Sequence, residues 1–203
     1  MILAARHSHA LRVIAVPGVR GIVPAHLCCC NLEGEIMAEN ALNPVVVLMA
    51  DDDIDDVVLV RDALKDSRCE VDFRYVEDGE EALDYLNRRG RFGDRTLSPR
   101  PSLILLDLNM PKKDGIQTLQ EIRNNPEIRT IPVVVLTTSR DRDLMLRIYR
   151  LGGSAFITKP TVYKDMIKAM ERLCEYWFHT VSLPDPPEDR TPVPEVHAGP
   201  GGL

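Results

Sequence analysis

The sequence predicts an α/β fold: five parallel strands in one sheet, with helices covering both faces. Three observations carry this. Five short apolar runs recur along the chain, the stretches between them repeat apolar residues every three or four positions, and the two kinds of segment alternate strictly.

The first strand is Val45–Met49, inside "PVVVLM". A helix follows, with Ile54, Val57, Val60 (or Arg61) and Leu64 at helical spacing. The second strand is Val71–Val76, and Gly79 then precedes the helical "EEALDYLNRR". The third strand is Leu103–Leu106, followed by Ile116, Leu119 and Ile122 after Asp114-Gly115. The fourth is Ile131–Leu136, with Leu144, Ile148 and Leu151 marking its helix. The fifth is Ala155–Thr158, and a long helix runs from about Val162 to Phe178. Short runs rich in Val, Ile and Leu suit strands buried on both faces. Right-handed crossovers and five βα units predict a flavodoxin-like sheet in the order 2-1-3-4-5. In such a sheet, chemistry gathers beyond the carboxyl ends of the strands.

Composition bounds the rest. The 203 residues carry a formal net charge of -6, with 28% charged and 44% apolar residues. That suits one domain with tails. No run reaches the roughly 18 apolar residues of a membrane span, and the acidic balance argues against nucleic acid as the main partner. Residues 1–43 form an expected poorly ordered extension. Its first 32 residues lack Asp and Glu, and Arg12, Pro17, Gly18 and Arg20 break up any signal-peptide core. An organelle transit peptide suits that composition better than a signal peptide. We read Met37 as the natural start, behind an "EGEI" that purine-rich codons would encode. Residues 44–183 are the expected domain, and 184–203, "PDPPEDRTPVPEVHAGPGGL", the expected disordered tail. Of the five cysteines, Cys28, Cys29 and Cys30 match no zinc spacing, and Cys69 and Cys174 read as small buried hydrophobes. The cysteines carry little information about redox state, and we read the compartment as reducing and cytoplasmic.

The predicted topology delivers chemistry-bearing residues to one place. Strand 1 ends in Asp51 and Asp52 of "ADDDIDDVV", strand 3 in Asp107 of "SLILLDLNMP", strand 4 in Thr137 and Thr138, and strand 5 in Lys159. Three carboxylates so close repel one another, and a hard divalent cation, Mg²⁺, relieves this. Helix capping explains Asp53 or Asp55, but not an acid ending another strand. A cation, an ammonium and a hydroxyl together suit a phosphoryl group. Asp107 is the available nucleophile, since carboxylates form aspartyl-phosphates.

With "ADDD", "LLDLNMPKKDG", "VVVLTTS" and "ITKP" in this order, the chain resembles a CheY-like receiver domain of a two-component response regulator over about residues 44–180. The extended "YLNRRGRFGDRTLSPRP" resembles the single-domain regulators paired with phytochrome-type histidine kinases. The resemblance implies that Asp107 is the phosphoryl acceptor, Asp52 a direct Mg²⁺ ligand, Asp51 a ligand through water, and the Asn109 backbone carbonyl a further ligand. It implies that Lys159 binds a phosphoryl oxygen, after a cis Lys159–Pro160 peptide. Thr137 and Phe156 are the implied switch pair, and Asn109 and Ser139 the positions that tune hydrolysis, giving a phosphoryl lifetime of minutes rather than days.

No output module fits the flanking segments, so the expected role is a phosphoryl-accepting signalling module rather than a turnover enzyme. Two apolar stripes on helix 5 run through Tyr163, Ile167, Met170, Cys174 and Trp177, and through Val162, Met166, Ala169, Leu173 and Tyr176. With an apolar helix 4, they predict a homodimer through helix 4, strand 5 and helix 5. A sensor histidine kinase, of the bacteriophytochrome type, is the expected partner. A phosphatase with an aspartyl-phosphate intermediate is the alternative, disfavoured because Asn109 stands where such enzymes place a second Asp. A static receiver-like scaffold is the other alternative, disfavoured by the complete set of site residues.

Overall fold

The computed structural model describes residues 45–184. The expectations for the extension at 1–43, for Met37, for Cys28–Cys30 and for the tail after Pro184 lie outside them. The elements run β1 (Val45–Ala50), α1 (Ile54–Asp66), β2 (Val71–Val76), α2 (Gly79–Leu86), β3 (Leu103–Leu106), α3 (Gly115–Asn124), β4 (Val133–Thr137), α4 (Arg142–Arg150), β5 (Ala155–Thr158) and α5 (Tyr163–Cys174). All strands pair in parallel, in the order β2-β1-β3-β4-β5, as the alternating pattern predicts.

Each strand alternates its side chains between two separate cores. Leu48, Ala50, Ile104, Leu106, Val133 and Val135 face Leu83, Leu119, Ile122 and Ile148 of α2, α3 and α4. Val47, Met49, Leu103, Leu105, Val134 and Leu136 face Val57, Val60 and Leu64 of α1 and Met166, Met170 and Leu173 of α5. The central strands β1, β3 and β4 are thus buried on both sides, which is why they read as unbroken apolar runs. Four helices start on an Asp whose carboxylate accepts a backbone N–H: Asp53 from Asp55, Asp78 from Glu81, Asp114 from Gln117 and Asp141 from Asp143. Such caps satisfy N–H groups that a helix leaves unpaired.

The structure corrects some expectations. β4 begins at Val133 rather than Ile131, because Pro132 has no N–H to give the ladder. Helix 5 ends at Cys174 and continues as a π-helical turn, Glu175–Thr180. Its apolar stripes merge into one buried seam of Met166, Met170, Leu173 and Cys174, leaving Val162, Tyr163 and Tyr176 exposed. Ile54 is also exposed. Cys69 and Cys174 are not separate buried hydrophobes but a disulfide, with Cα atoms 6.2 Å apart and a sequence separation of 105. α1 and α5 pack side by side on one face of the sheet, and this brings the turn after α1 to the end of α5.

The long segment between α2 and β3 is pinned rather than loose. Tyr85 donates its hydroxyl to the Pro99 carbonyl at 2.8 Å, its ring meets Phe92 at 5.2 Å, and Arg74 donates to the Leu97 carbonyl at 3.2 Å.

Candidate functional site

The carboxyl ends of β1, β3 and β5 build the site. Asp51 follows β1 directly, and its N–H donates to the Val76 carbonyl at 3.1 Å, extending the ladder by one residue. Asp107 follows β3, and its N–H donates to the Ala50 carbonyl at 2.9 Å. Lys159 follows β5, and its N–H donates to the Thr137 carbonyl at 2.7 Å. Backbone pairing therefore fixes the three side chains before any contact between them is made. All three are buried: Asp51 is 2%, Asp107 5% and Lys159 8% exposed.

The Lys159 ammonium sits among carboxylates. Its Nζ lies 2.7 Å from Asp51 Oδ2, 2.7 Å from Asp56 Oδ2 and 3.0 Å from Asp107 Oδ1. Asp51, Asp52 and Asp107 each offer an oxygen, and these lie within 4.8 Å of one another. Three carboxylates (Asp51, Asp56, Asp107) thus meet one ammonium, with Asp52 beside them. Burial, reinforced by the charge of Asp107, pushes the Asp51 carboxyl up to about 6, despite the hydrogen bond from Lys159. Burial would lower the Lys159 ammonium, but its hydrogen bonds to Asp51 and Asp56 and the charge of Asp107 hold it above its ordinary value. The two shifts have different causes: burial dominates at Asp51, whereas the surrounding carboxylates dominate at Lys159. The donor set is all carboxylate oxygen, with Asp52 open to solvent, and so fits a hard divalent cation that keeps several waters.

The other expected residues fall around this centre. Thr137 is fully buried at the end of β4, and its Oγ1 accepts from the Ser139 N–H at 3.3 Å. Thr138 is exposed. Ser139 is half-buried, and its Oγ accepts from the Asp141 N–H at 3.2 Å. Asn109 is exposed, and its N–H donates to Asp107 Oδ2 at 2.6 Å, holding the carboxylate from the side away from Lys159. Phe156 is half-buried, packed against the core under α4, and two residues before Thr158, which pairs with Thr137. The expected cis Lys159–Pro160 peptide is trans, like every other peptide bond among the described residues. The lysine still points into the site, because the ladder bond to Thr137 already sets its direction.

Sequence reasoning missed three supporting residues. Asp56, in the first turn of α1, holds Lys159 from below; once Asp53 caps that helix, Asp56 follows as the acid turned inward. Lys112, in the loop after Asp107, reaches the buried cap Asp78 at 2.5 Å from a backbone at φ 58. Burial alone would raise the Asp78 carboxyl, but Lys112 and the Glu81 N–H pull it below its ordinary value. Gly115 is the third. A Cβ there would lie 2.1 Å from the Asp107 carbonyl oxygen and 2.8 Å from the Leu108 Cα. Gly115→Ala should therefore cost roughly 1–3 kcal/mol, read by urea denaturation; an unchanged midpoint would show that α3 shifts freely away from the Asp107 backbone.

Comparisons with known proteins agree with this geometry. A family model described as the response regulator receiver domain matches residues 47–171. The response regulator Rcp1 of Synechocystis sp. is 40% identical over 148 residues, covering 73% of this chain and 99% of that protein. The crystal structure of the phosphorylated cyanobacterial phytochrome response regulator RcpA is 36% identical, with a TM-score of 0.65, over 70% of this chain and 100% of that one. The Mn²⁺-bound form of Rcp1 is 41% identical, with a TM-score of 0.63, over the same shares. With five parallel strands in the order 2-1-3-4-5 and an acidic cluster at their carboxyl ends, the chain belongs to the response regulator receiver family.

Proposed function

We propose that this protein is a stand-alone response regulator that accepts a phosphoryl group from a sensor histidine kinase on Asp107. One observation carries the reading: a buried carboxylate held by the Asn109 N–H and the Lys159 ammonium, beside two further acids. The likeness to Rcp1 and RcpA supports it and favours a phytochrome-type kinase as donor. We place it in the cytoplasm; among the described residues no helix is long and apolar enough to cross a membrane.

Asp51, Asp52, Asp107 and the backbone carbonyl of Asn109 would hold Mg²⁺, and the Mn²⁺-bound form of Rcp1 supports a divalent cation here. When bound, the ion neutralises charge on the carboxylates and on phosphoryl oxygens. Asp107 attacks the phosphorus of a phosphohistidine; the new P–O bond forms as the P–N bond breaks and the imidazole departs with a proton. Lys159, already beside Asp107, pairs with a phosphoryl oxygen. Thr137 then turns its hydroxyl toward the phosphoryl group, and Phe156 follows it inward. The face of α4, β5 and α5 changes as a result. Asn109 and Ser139 flank the path of a hydrolysing water. The test is transfer of a labelled phosphoryl group from an autophosphorylated phytochrome-type kinase. Label moving to this chain within minutes supports the reading, and label staying on the kinase under conditions that discharge it to its own partner contradicts it.

The same face supports a homodimer. Leu146 and Tyr149 on α4 are each 48% exposed, and Val162 at the start of α5 is 56% exposed. Clustered apolar exposure marks interfaces. Sedimentation equilibrium of the phosphorylated protein should give a dimer that Tyr149→Glu weakens; a monomer would reject it.

A further inference from the structure

The Cys69–Cys174 bridge lies at the end of the sheet opposite the acidic site. Cys69 lies two residues before the start of β2, and Cys174 is the last residue of α5. We propose that this pair is a reversible thiol–disulfide switch that decides whether the π-helical turn Glu175–Thr180 stays docked against the apolar cluster that holds Cys174.

Three observations support this. The pair is asymmetric in access. Cys69 is half-buried and Cys174 only 4% exposed, so Cys69 is the more open of the two to an incoming disulfide and Cys174 is assigned as the resolving thiol. Next, the segment it governs begins at the following residue. Trp177 and Phe178 are half-buried and pack against the cluster that holds Cys174, as Cys69, Val71 and Phe73 also do, while Tyr176, His179 and Thr180 face solvent. The docked part is therefore small, and the hydrogen bonds Val181 N–H to the Tyr176 carbonyl (3.1 Å) and Thr180 Oγ1 to the Glu175 carbonyl (2.9 Å) are internal to this end of the chain. Such a turn gains most from a covalent tie beside it, since segments with few buried contacts open locally at low cost. Finally, the backbone here is π-helical, a geometry that is rare and frequently found at functional sites.

The exchange balances with a small-molecule disulfide, such as glutathione disulfide, as oxidant. The Cys69 thiolate attacks one of its sulfurs, forming a mixed disulfide and expelling one thiolate. The Cys174 thiolate then attacks the Cys69 sulfur, closing the bridge and expelling the second. Two protein thiols are oxidised, one disulfide is reduced to two thiols, and the two protons pass to the leaving thiolates. Reduction runs the same steps backwards.

The test uses the full chain with Cys28, Cys29 and Cys30 each replaced by Ser. It is equilibrated in glutathione buffers from fully reduced to fully oxidised, trapped with an alkylating agent and weighed. Trp177 is the only tryptophan of the chain, so its fluorescence reports the docked turn directly. Bridged and dithiol forms should interconvert within the buffer range. Reduction should move Trp177 emission to longer wavelength and speed chymotrypsin cleavage after Tyr176, Trp177 and Phe178 by roughly tenfold or more, with far-ultraviolet circular dichroism retained. Cys69→Ser and Cys174→Ser should each behave like the reduced protein without reductant. The proposal is overturned if the pair stays fully reduced or fully bridged across all buffers, if reduction changes neither emission nor cleavage, or if it unfolds the whole domain. None of these outcomes depends on phosphoryl acceptance at Asp107.

Discussion

Asp107→Asn will take up no phosphoryl group from acetyl phosphate or from a kinase, while folding as the parent does. The substitution keeps the size of the side chain and replaces one carboxylate oxygen by an amide nitrogen. The amide oxygen still accepts from the Asn109 N–H, the contact made at 2.6 Å by Asp107. What is lost is the proposed nucleophile: an amide oxygen carries no negative charge and does not attack phosphorus as a carboxylate does. Uptake measured by intact mass should fall to background, a loss of at least about a thousandfold if Asp107 is the only acceptor. Residual uptake near the parental level would move the acceptor to another acid, with Asp52, the most open member of the cluster, as the first candidate. Sustained turnover of a phosphate ester by the parent would favour the hydrolase reading instead.

Asp51→Asn will stabilise the protein in the absence of divalent ions and remove the stabilisation that Mg²⁺ confers. Asp51 is buried among more acids than Lys159 alone balances, and its carboxyl rises from 3.8 to about 6. A group whose folded pKa is raised contributes stability that is fully present below its unfolded value and lost as pH rises through the folded one. The metal-free parent should therefore lose stability between about pH 4 and about pH 6. At about pH 8 the Asn variant should be more stable than the parent by roughly 1–3 kcal/mol, after allowance for solvent screening on the open side of the cluster. Saturating Mg²⁺ should stabilise the parent by mass action and the variant far less, so the order narrows or reverses. Cation binding needs the ionised carboxylate, so the apparent affinity of the parent should weaken as pH falls below about 6. Urea denaturation in EDTA and in Mg²⁺ reads both effects. A variant less stable than the parent in EDTA would mean that the Asp51–Lys159 pair outweighs the burial of its acid.

Much of this was legible in the residues. β1, β3 and β4 are buried on both faces, so Val46–Ala50, Leu103–Leu106 and Val133–Leu136 are almost purely apolar, and the acid or hydroxyl that ends each run stands out. Parallel topology then brings those ends together, which is why Asp51, Asp107 and Lys159 could be grouped before any distance was known. What stayed hidden depends on packing between elements distant in sequence. The Cys69–Cys174 bridge needs α1 and α5 side by side, and its ends have a sequence separation of 105. Asp56 looked interchangeable with its acidic neighbours until Asp53 was seen to cap α1 and so fix the rotation of that helix. Gly115 read only as a helix start; its close approach to the Asp107 backbone is a property of the folded chain. The π-helical end of α5 carries no distinct spacing, since Tyr176, Trp177 and Phe178 continue an apolar pattern that a longer α-helix would share.

The most direct measurement is to locate the phosphoryl group itself. The protein is incubated with acetyl phosphate in Mg²⁺ or in EDTA, reduced with borohydride to trap any acyl phosphate as an alcohol, and mapped by peptide mass. We expect one modified residue, Asp107, in Mg²⁺ and almost none in EDTA. A modification at any other residue, or none in Mg²⁺, would contradict the assignment of Asp107 as the phosphoryl acceptor.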